Sequence, residues 1–150
     1  MRWLIRSVFG LAASAALFGT AFAADLNPAA VVYTLPDKID WKKTGSGSEQ
    51  AILAGDPSKP GLYIVLTKWL PNNMSRPHFH PNDRFITVLK GTWWMGTGTT
   101  FDPAGTTPVP AGTFVTHFGK QVHYDGAKDG EVVLLITGEG PATSTRVDPK

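Results

Sequence analysis

The chain of 150 residues has no cysteine and only four histidines, and its one extended apolar stretch lies within the first 23 residues. Lack of cysteine excludes a disulfide framework and removes thiolate from the possible nucleophiles and metal ligands. Stability must come from a packed core and any bound metal. Basic runs are equally scarce, with nothing longer than Lys42-Lys43. There is little electrostatic case here for nucleic acid or an anionic membrane surface. Helical periodicity is also nearly absent, which excludes a bundle or coiled coil.

The first 23 residues read as a secretory signal peptide. Arg2 and Arg6 form a positive head, Leu11–Phe22 a short apolar stretch, and Ala21-Phe22-Ala23 a small-x-small cleavage site before Ala24. The stretch is broken by Ser14, Gly19 and Thr20 and is short for a bilayer span. The arginines are not adjacent, which points to export as an unfolded chain, and a periplasmic or secreted location follows. Both leader charges are positive, so the fourteen Lys and Arg fall to twelve against twelve Asp and Glu, and the mature chain is formally neutral. Partners are expected to be small molecules, with no nucleic acid and, after signal removal, no membrane. A homodimer stays open.

Residues 24–150 suit one domain. Short apolar runs alternate with Gly-Asp-Pro, Pro-Asn-Asn, Lys-Gly and two Pro-Ala-Gly turns. Strands are expected near Val31–Leu35, Gln50–Ala54, Leu62–Leu70, Arg84–Lys90, Thr92–Met95, Thr113–His117 and Glu131–Thr137. Leu62–Leu70 and Val132–Ile136 are apolar on both parities, so both faces should be covered, as in a closed antiparallel barrel. The tail from Gly140 is Pro, Thr and charge, and is expected to lie on the surface or fray. Alternation lets at most one of Trp93 and Trp94 point inward.

The stretch RPHFHPNDRFITVLKG (76–91) sets two histidines one residue apart. On a strand His78 and His80 share a face, about 7 Å apart at the Cα level. Their ring nitrogens can then converge on one ion at about 2.1 Å each. The remaining histidines, His117 and His123, lie in one later segment behind Pro110-Ala111-Gly112.

This arrangement resembles the cupin superfamily. Its first motif is Gly, five residues, His-x-His, three or four residues, Glu, six residues, Gly; here Asn72, His78, His80, Arg84 and Gly91 occupy those places. In its second motif a Pro-x-Gly precedes a metal-binding histidine by about eleven residues, matched by Pro110-Ala111-Gly112 and His123. The usual later Asn is replaced by Ala127. The resemblance spans roughly Leu62 to Ile136 and implies an all-β antiparallel jelly-roll barrel holding one metal ion on His78, His80 and His123.

Asn72 is a mild departure, since Asn tolerates left-handed backbone. Arg84 is a serious one, because a guanidinium is always protonated and cannot replace the carboxylate ligand. Asp83, one residue early, points to the opposite face of a regular strand. His117 is the better substitute, as fourth ligand or as acid–base residue. Arg84 either lies in the pocket or pairs with Asp83 or Asp125.

A site of neutral imidazoles keeps the full charge of one divalent transition metal ion, and the ligand type does not distinguish Fe, Mn, Zn, Cu and Ni. Such a site favours anionic or enolisable ligands. The resemblance implies a metal-dependent enzyme of dioxygenase type, for which the residues themselves offer His117 and Arg84 as catalytic groups; the alternative is a non-catalytic protein binding metal or a small ligand. An inward Arg84 favours a substrate site, since a buried cation beside a metal requires an anion.

Overall fold

The computed structural model describes residues 25–45 and 47–147, so the leader segment 1–23 lies outside the described residues. Residues up to Thr34 form one unit and residues from Leu35 another. In the first, Asn27 O accepts from the amides of Ala30 and Val31, closing a turn. The strand expected at Val31–Leu35 does not form: Val32 is 84% exposed, and no ladder engages the segment among the described residues. Pro36 opens a short 3-10 turn, Pro36–Lys38, and biases Leu35 to isolated extended backbone. β propensity without a partner edge makes no strand.

Beyond it run twelve strands: β1 (Lys42–Lys43), β2 (Ser48–Ala54), β3 (Gly61–Trp69), β4 (Asn73–Met74), β5 (His78–Phe79), β6 (Arg84–Lys90), β7 (Thr92–Thr97), β8 (Thr107–Pro110), β9 (Phe114–His117), β10 (His123–Ala127), β11 (Val132–Gly140) and β12 (Thr145–Arg146). Two antiparallel sheets result, ordered β1-β2-β3-β11-β6-β9 and β12-β5-β10-β7-β8, with β4 also on β10. This is a jelly-roll barrel. No helix among the described residues is long and apolar enough to cross a membrane.

The inner faces build the core. Tyr63, Val65 and Trp69 on β3 meet Val132, Leu134 and Ile136 on β11, Ile86 and Val88 on β6, and Trp93 on β7. Each follows the period-2 alternation of its strand. Trp93 points inward and is fully buried, whereas Trp94 lies outside under the Lys128 ammonium, 3.9 Å from its ring centroid. The doubly apolar runs are only half covered outside: Leu66 is buried, while Ile64, Val133 and Leu135 are partly exposed.

One strand that carries a site residue was not among those expected: the segment from His123 is the buried strand β10, which bridges β5, β4 and β7. The tail after Gly140 lies on the surface, as expected, and is held there by hydrogen bonds. Ala142 N donates to Pro57 O (2.7 Å), Val147 N donates to Pro77 O (2.9 Å), and β12 pairs with β5 through Thr145↔Phe79 and Arg146↔His78. A short polar strand with few apolar residues is invisible to hydrophobic pattern, and forms here because β5 offers it an edge.

Candidate metal centre

The turn that leads into β4, and through it to the His-x-His segment, passes Asn72, whose φ of 61° is the left-handed backbone that Asn accepts where Gly is more usual. Its amide donates to Lys128 O at 2.7 Å. β5 then pairs with β10, setting His78 directly opposite His123. The loop between His117 and His123 is fastened to the same segment, since Lys120 N donates to His80 O (2.7 Å) and Gly119 N to Asp83 Oδ1 (2.7 Å). Asp83 thus serves the loop and stands apart from the histidines.

Three rings converge. The ring centroids are 4.9 Å apart for His78–His80, 4.6 Å for His78–His123 and 5.4 Å for His80–His123. Each ring spends its Nδ1–H on a backbone carbonyl: His78 on Arg76 O (2.8 Å), His80 on Thr143 O (2.9 Å) and His123 on Gln121 O (3.0 Å). A carbonyl only accepts, so each Nδ1 carries the proton and each neutral ring presents an Nε2 lone pair. Carbonyls that hold the far nitrogen of an imidazole are the usual outer support of a metal-binding histidine.

Metal binding fits these residues on two further observations. The Nε2 atoms of His78 and His80 stand 3.1 Å apart, so two lone pairs face each other unless a cation lies between them. Two ligands at about 2.1 Å from one ion, at the angles of a tetrahedron or octahedron, lie about 3.0–3.5 Å apart. In addition, His123 Nε2 is buried without a hydrogen-bond partner. One candidate ligand atom from each of the three histidines falls within 4.8 Å of the others.

Burial keeps the His80, His117 and His123 rings neutral. It lowers the His80 pKa to about 3, with the Arg84 charge as the next cause. His123 is also lowered by burial, against the opposing pull of Asp125. His117 is lowered to about 2 by burial, then by His123 and Arg84.

His117 sits against His123, with centroids 3.9 Å apart, but its role differs from that of the three. Arg84 Nη2 donates to His117 Nδ1 at 3.5 Å, and a guanidinium cannot accept. The neutral His117 ring therefore carries its proton on Nε2. His117, His123 and Asp125 form a second group with ligand atoms within 4.8 Å, yet in this tautomer His117 offers a donor where a ligand needs a lone pair.

Arg84 opens β6 opposite His117 on one side and Gly138 on the other, and faces the interior. A Cβ at Gly138 would meet the Tyr63 hydroxyl at 2.7 Å, so glycine leaves the room in which Tyr63 lies alongside the guanidinium. Burial lowers the Arg84 pKa, and Asp125 opposes that shift. Arg84 forms no ion pair with Asp83 or Asp125 among the described residues, which corrects the salt-bridge alternative. Its Nε is buried without a partner. The guanidinium borders a cavity of about 490 Å³ that also reaches His78, His80, Asp125, Arg76 and Arg146.

No family model matches the chain, and no curated protein matches it in sequence. Solved structures do match. The polyketide cyclase RemF from Streptomyces resistomycificus aligns over 80% of this chain and 87% of its own, at 16% identity and a TM-score of 0.66. An RmlC-like cupin from Shewanella frigidimarina aligns over 73% of this chain and 90% of its own, at 14% identity and 0.58. A cupin-2 domain protein from Rhodospirillum rubrum covers 80% and 81%, at 16% and 0.59. The protein has the cupin fold. At such identities the likeness speaks for the barrel alone, and the chemistry of this cupin barrel rests on its own residues.

Three contributors to the site were missed in sequence. Asp125 shares the face of His123 by strand alternation, and a period-2 count from His123 would have found it. The Thr143 carbonyl and Tyr63 leave no sequence signal, because one is backbone and the other reads as ordinary core.

Proposed function

We propose that the protein is an exported, metal-dependent enzyme of the cupin fold that acts on a small anionic, enolisable or phenolic molecule. His78, His80 and His123 hold one divalent transition metal ion, and Arg84 receives the negative charge of the ligand. The observation that carries this reading is the inward Arg84, a buried cation with no carboxylate in contact, next to three imidazoles that add no negative charge. A guanidinium desolvated beside a dication is costly even with the charge of Asp125 at longer range, and an anionic ligand relieves both cations. A protein that only sequesters metal has no use for it. A bound ion would supply Lewis acidity toward an enolate or phenolate and, if redox-active, the oxygen chemistry of a dioxygenase. Of the two roles considered for His117, the tautomer speaks against the first: it contacts Arg84 through Nδ1 and offers Nε2–H to a ligand as a hydrogen-bond donor. Export to the periplasm or beyond follows from the leader.

A homodimer belongs to the same proposal. The outer face of the β1-β2-β3-β11-β6-β9 sheet exposes Leu62, Phe85, Leu89 and Phe114, with Phe85 and Phe114 stacked at 6.4 Å between centroids. Such apolar faces commonly mark association.

Elemental analysis of protein purified without chelator tests the site and names the element. We expect close to one transition-metal ion per chain, lost in His78→Ala plus His80→Ala. Wild type without metal, or an undiminished content in the double variant, refutes the assignment. Turnover of a small enolisable acid that ceases in Arg84→Gln, with metal retained, separates enzyme from binder.

A further inference from the structure

The cavity beside the histidines contains two groups of opposite charge that the protein does not satisfy with each other. Asp125 is 5% exposed. It takes one hydrogen bond on its side chain, from Trp93 Nε1 to Oδ1 at 3.3 Å. Its Oδ2 lies 3.8 Å from His123 Nε2, beyond hydrogen-bond range, and accepts from no described residue. Arg84, on the same cavity, has hydrogen-bond contacts to the neutral His117 and Tyr63 side chains and no carboxylate within ion-pair distance among the described residues.

Asp125 is also fixed in place. Its amide donates to Ser75 Oγ (2.9 Å), and its carbonyl accepts from Ser75 N (2.8 Å) and Ser75 Oγ (3.1 Å). The following Gly126 packs against the backbone of Asn73 and Met74, where a Cβ would clash. The Asp125 backbone is thereby held where β10 meets β4, and Trp93 Nε1 holds Oδ1 of its carboxylate. A carboxylate whose Oδ2 accepts from no described residue, and a guanidinium with no carboxylate in contact, border one space that His78 and His80 also line. Occupancy that satisfies both requires an anionic group at one end and a hydrogen-bond donor at the other.

We infer that the ligand is a hydroxy or enol acid whose acidic group meets Arg84 and whose hydroxyl donates to Asp125 Oδ2 at the edge of the metal position. Asp125 is then the residue that selects for the hydroxyl. An ammonium donor is disfavoured, because Arg84 and the ion both repel it at this range. This inference rests on the anionic-ligand reading above and adds to it the second functional group.

The test is equilibrium binding to full-length mature protein of known metal content, with lactate, 2-methoxypropionate, propionate and alanine as probes. The methoxy acid keeps the oxygen that could chelate but cannot donate. We expect lactate to bind at least about tenfold tighter than the other three, a ratio typical of one satisfied hydrogen bond to a charged group. In Asp125→Asn the ratio of lactate to propionate affinity should fall below about threefold, whatever the loss of charge does to both acids together; Asn retains an acceptor for Trp93, and thermal melting checks the fold. Lactate and 2-methoxypropionate binding alike in wild type, or a preference unaltered in Asp125→Asn, overturns the inference and leaves the anion reading standing. If no acid binds, or the protein carries no metal, the underlying reading fails and this one with it.

Discussion

Ending the chain at Gly140 should weaken metal binding without dissolving the barrel. The tail supplies the Thr143 carbonyl that takes the His80 Nδ1 proton at 2.9 Å, and β12 pairs with the strand that carries His78. His80 is 7% exposed, so without that carbonyl its N–H is left buried and unsatisfied. An orphaned buried donor costs about 1–3 kcal/mol. The neutral ring can avoid that cost by moving its proton to Nε2 or by turning away, and either choice withdraws the lone pair from the ion. Loss of such outer support commonly weakens metal affinity by about 10–100-fold. Competition of Zn²⁺ between protein and a chromogenic chelator, compared for the full mature chain and the truncated one, reads this directly. The tail also contributes the Ala142 and Val147 backbone bonds and partial packing of Ala142 on the core, so the truncated protein should melt some degrees lower while still cooperatively. A truncated chain that melts cooperatively and binds Zn²⁺ as tightly as the full one refutes the orienting role of the tail.

Acid should destabilise the metal-free protein earlier than carboxylate titration would. The His80 and His117 pKa values fall from 6.5 to about 3 and about 2 on folding, so the unfolded chain binds more protons below pH 6.5. Stability is fully present above pH 6.5 and declines as pH falls toward 3, by about 1.4 kcal/mol per histidine per pH unit; equal urea midpoints at pH 7.5 and 5 would contradict this. Arg84→Glu should restore the carboxylate of the cupin pattern, tightening metal binding and weakening small carboxylates together, both measured by titration calorimetry; no change in either removes Arg84 from the functional residues.

Much of the barrel is legible in the chain itself. Strands with strict alternation and turn chemistry at their ends, such as Arg84–Lys90 and the run ending at His117, need only local pattern to be read. Two histidines one residue apart on extended backbone must share a face, so the nearness of His78 and His80 is also a local property. Strands that exist only because another strand offers an edge escaped that reading: Thr145–Arg146 forms against β5, while Val31–Leu35, richer in β-formers, finds no ladder. The direction of Arg84 was equally beyond the sequence. Whether its guanidinium meets solvent, Asp125 or the cavity is decided by His117 across the ladder on one side and by the space beside Gly138 on the other, contacts 33 residues and more away in the chain. Residue types and spacing determined which groups were available for chemistry. Only the closing of the two sheets decided which polar atoms were buried together and left unsatisfied, because that depends on long-range packing that no local periodicity records.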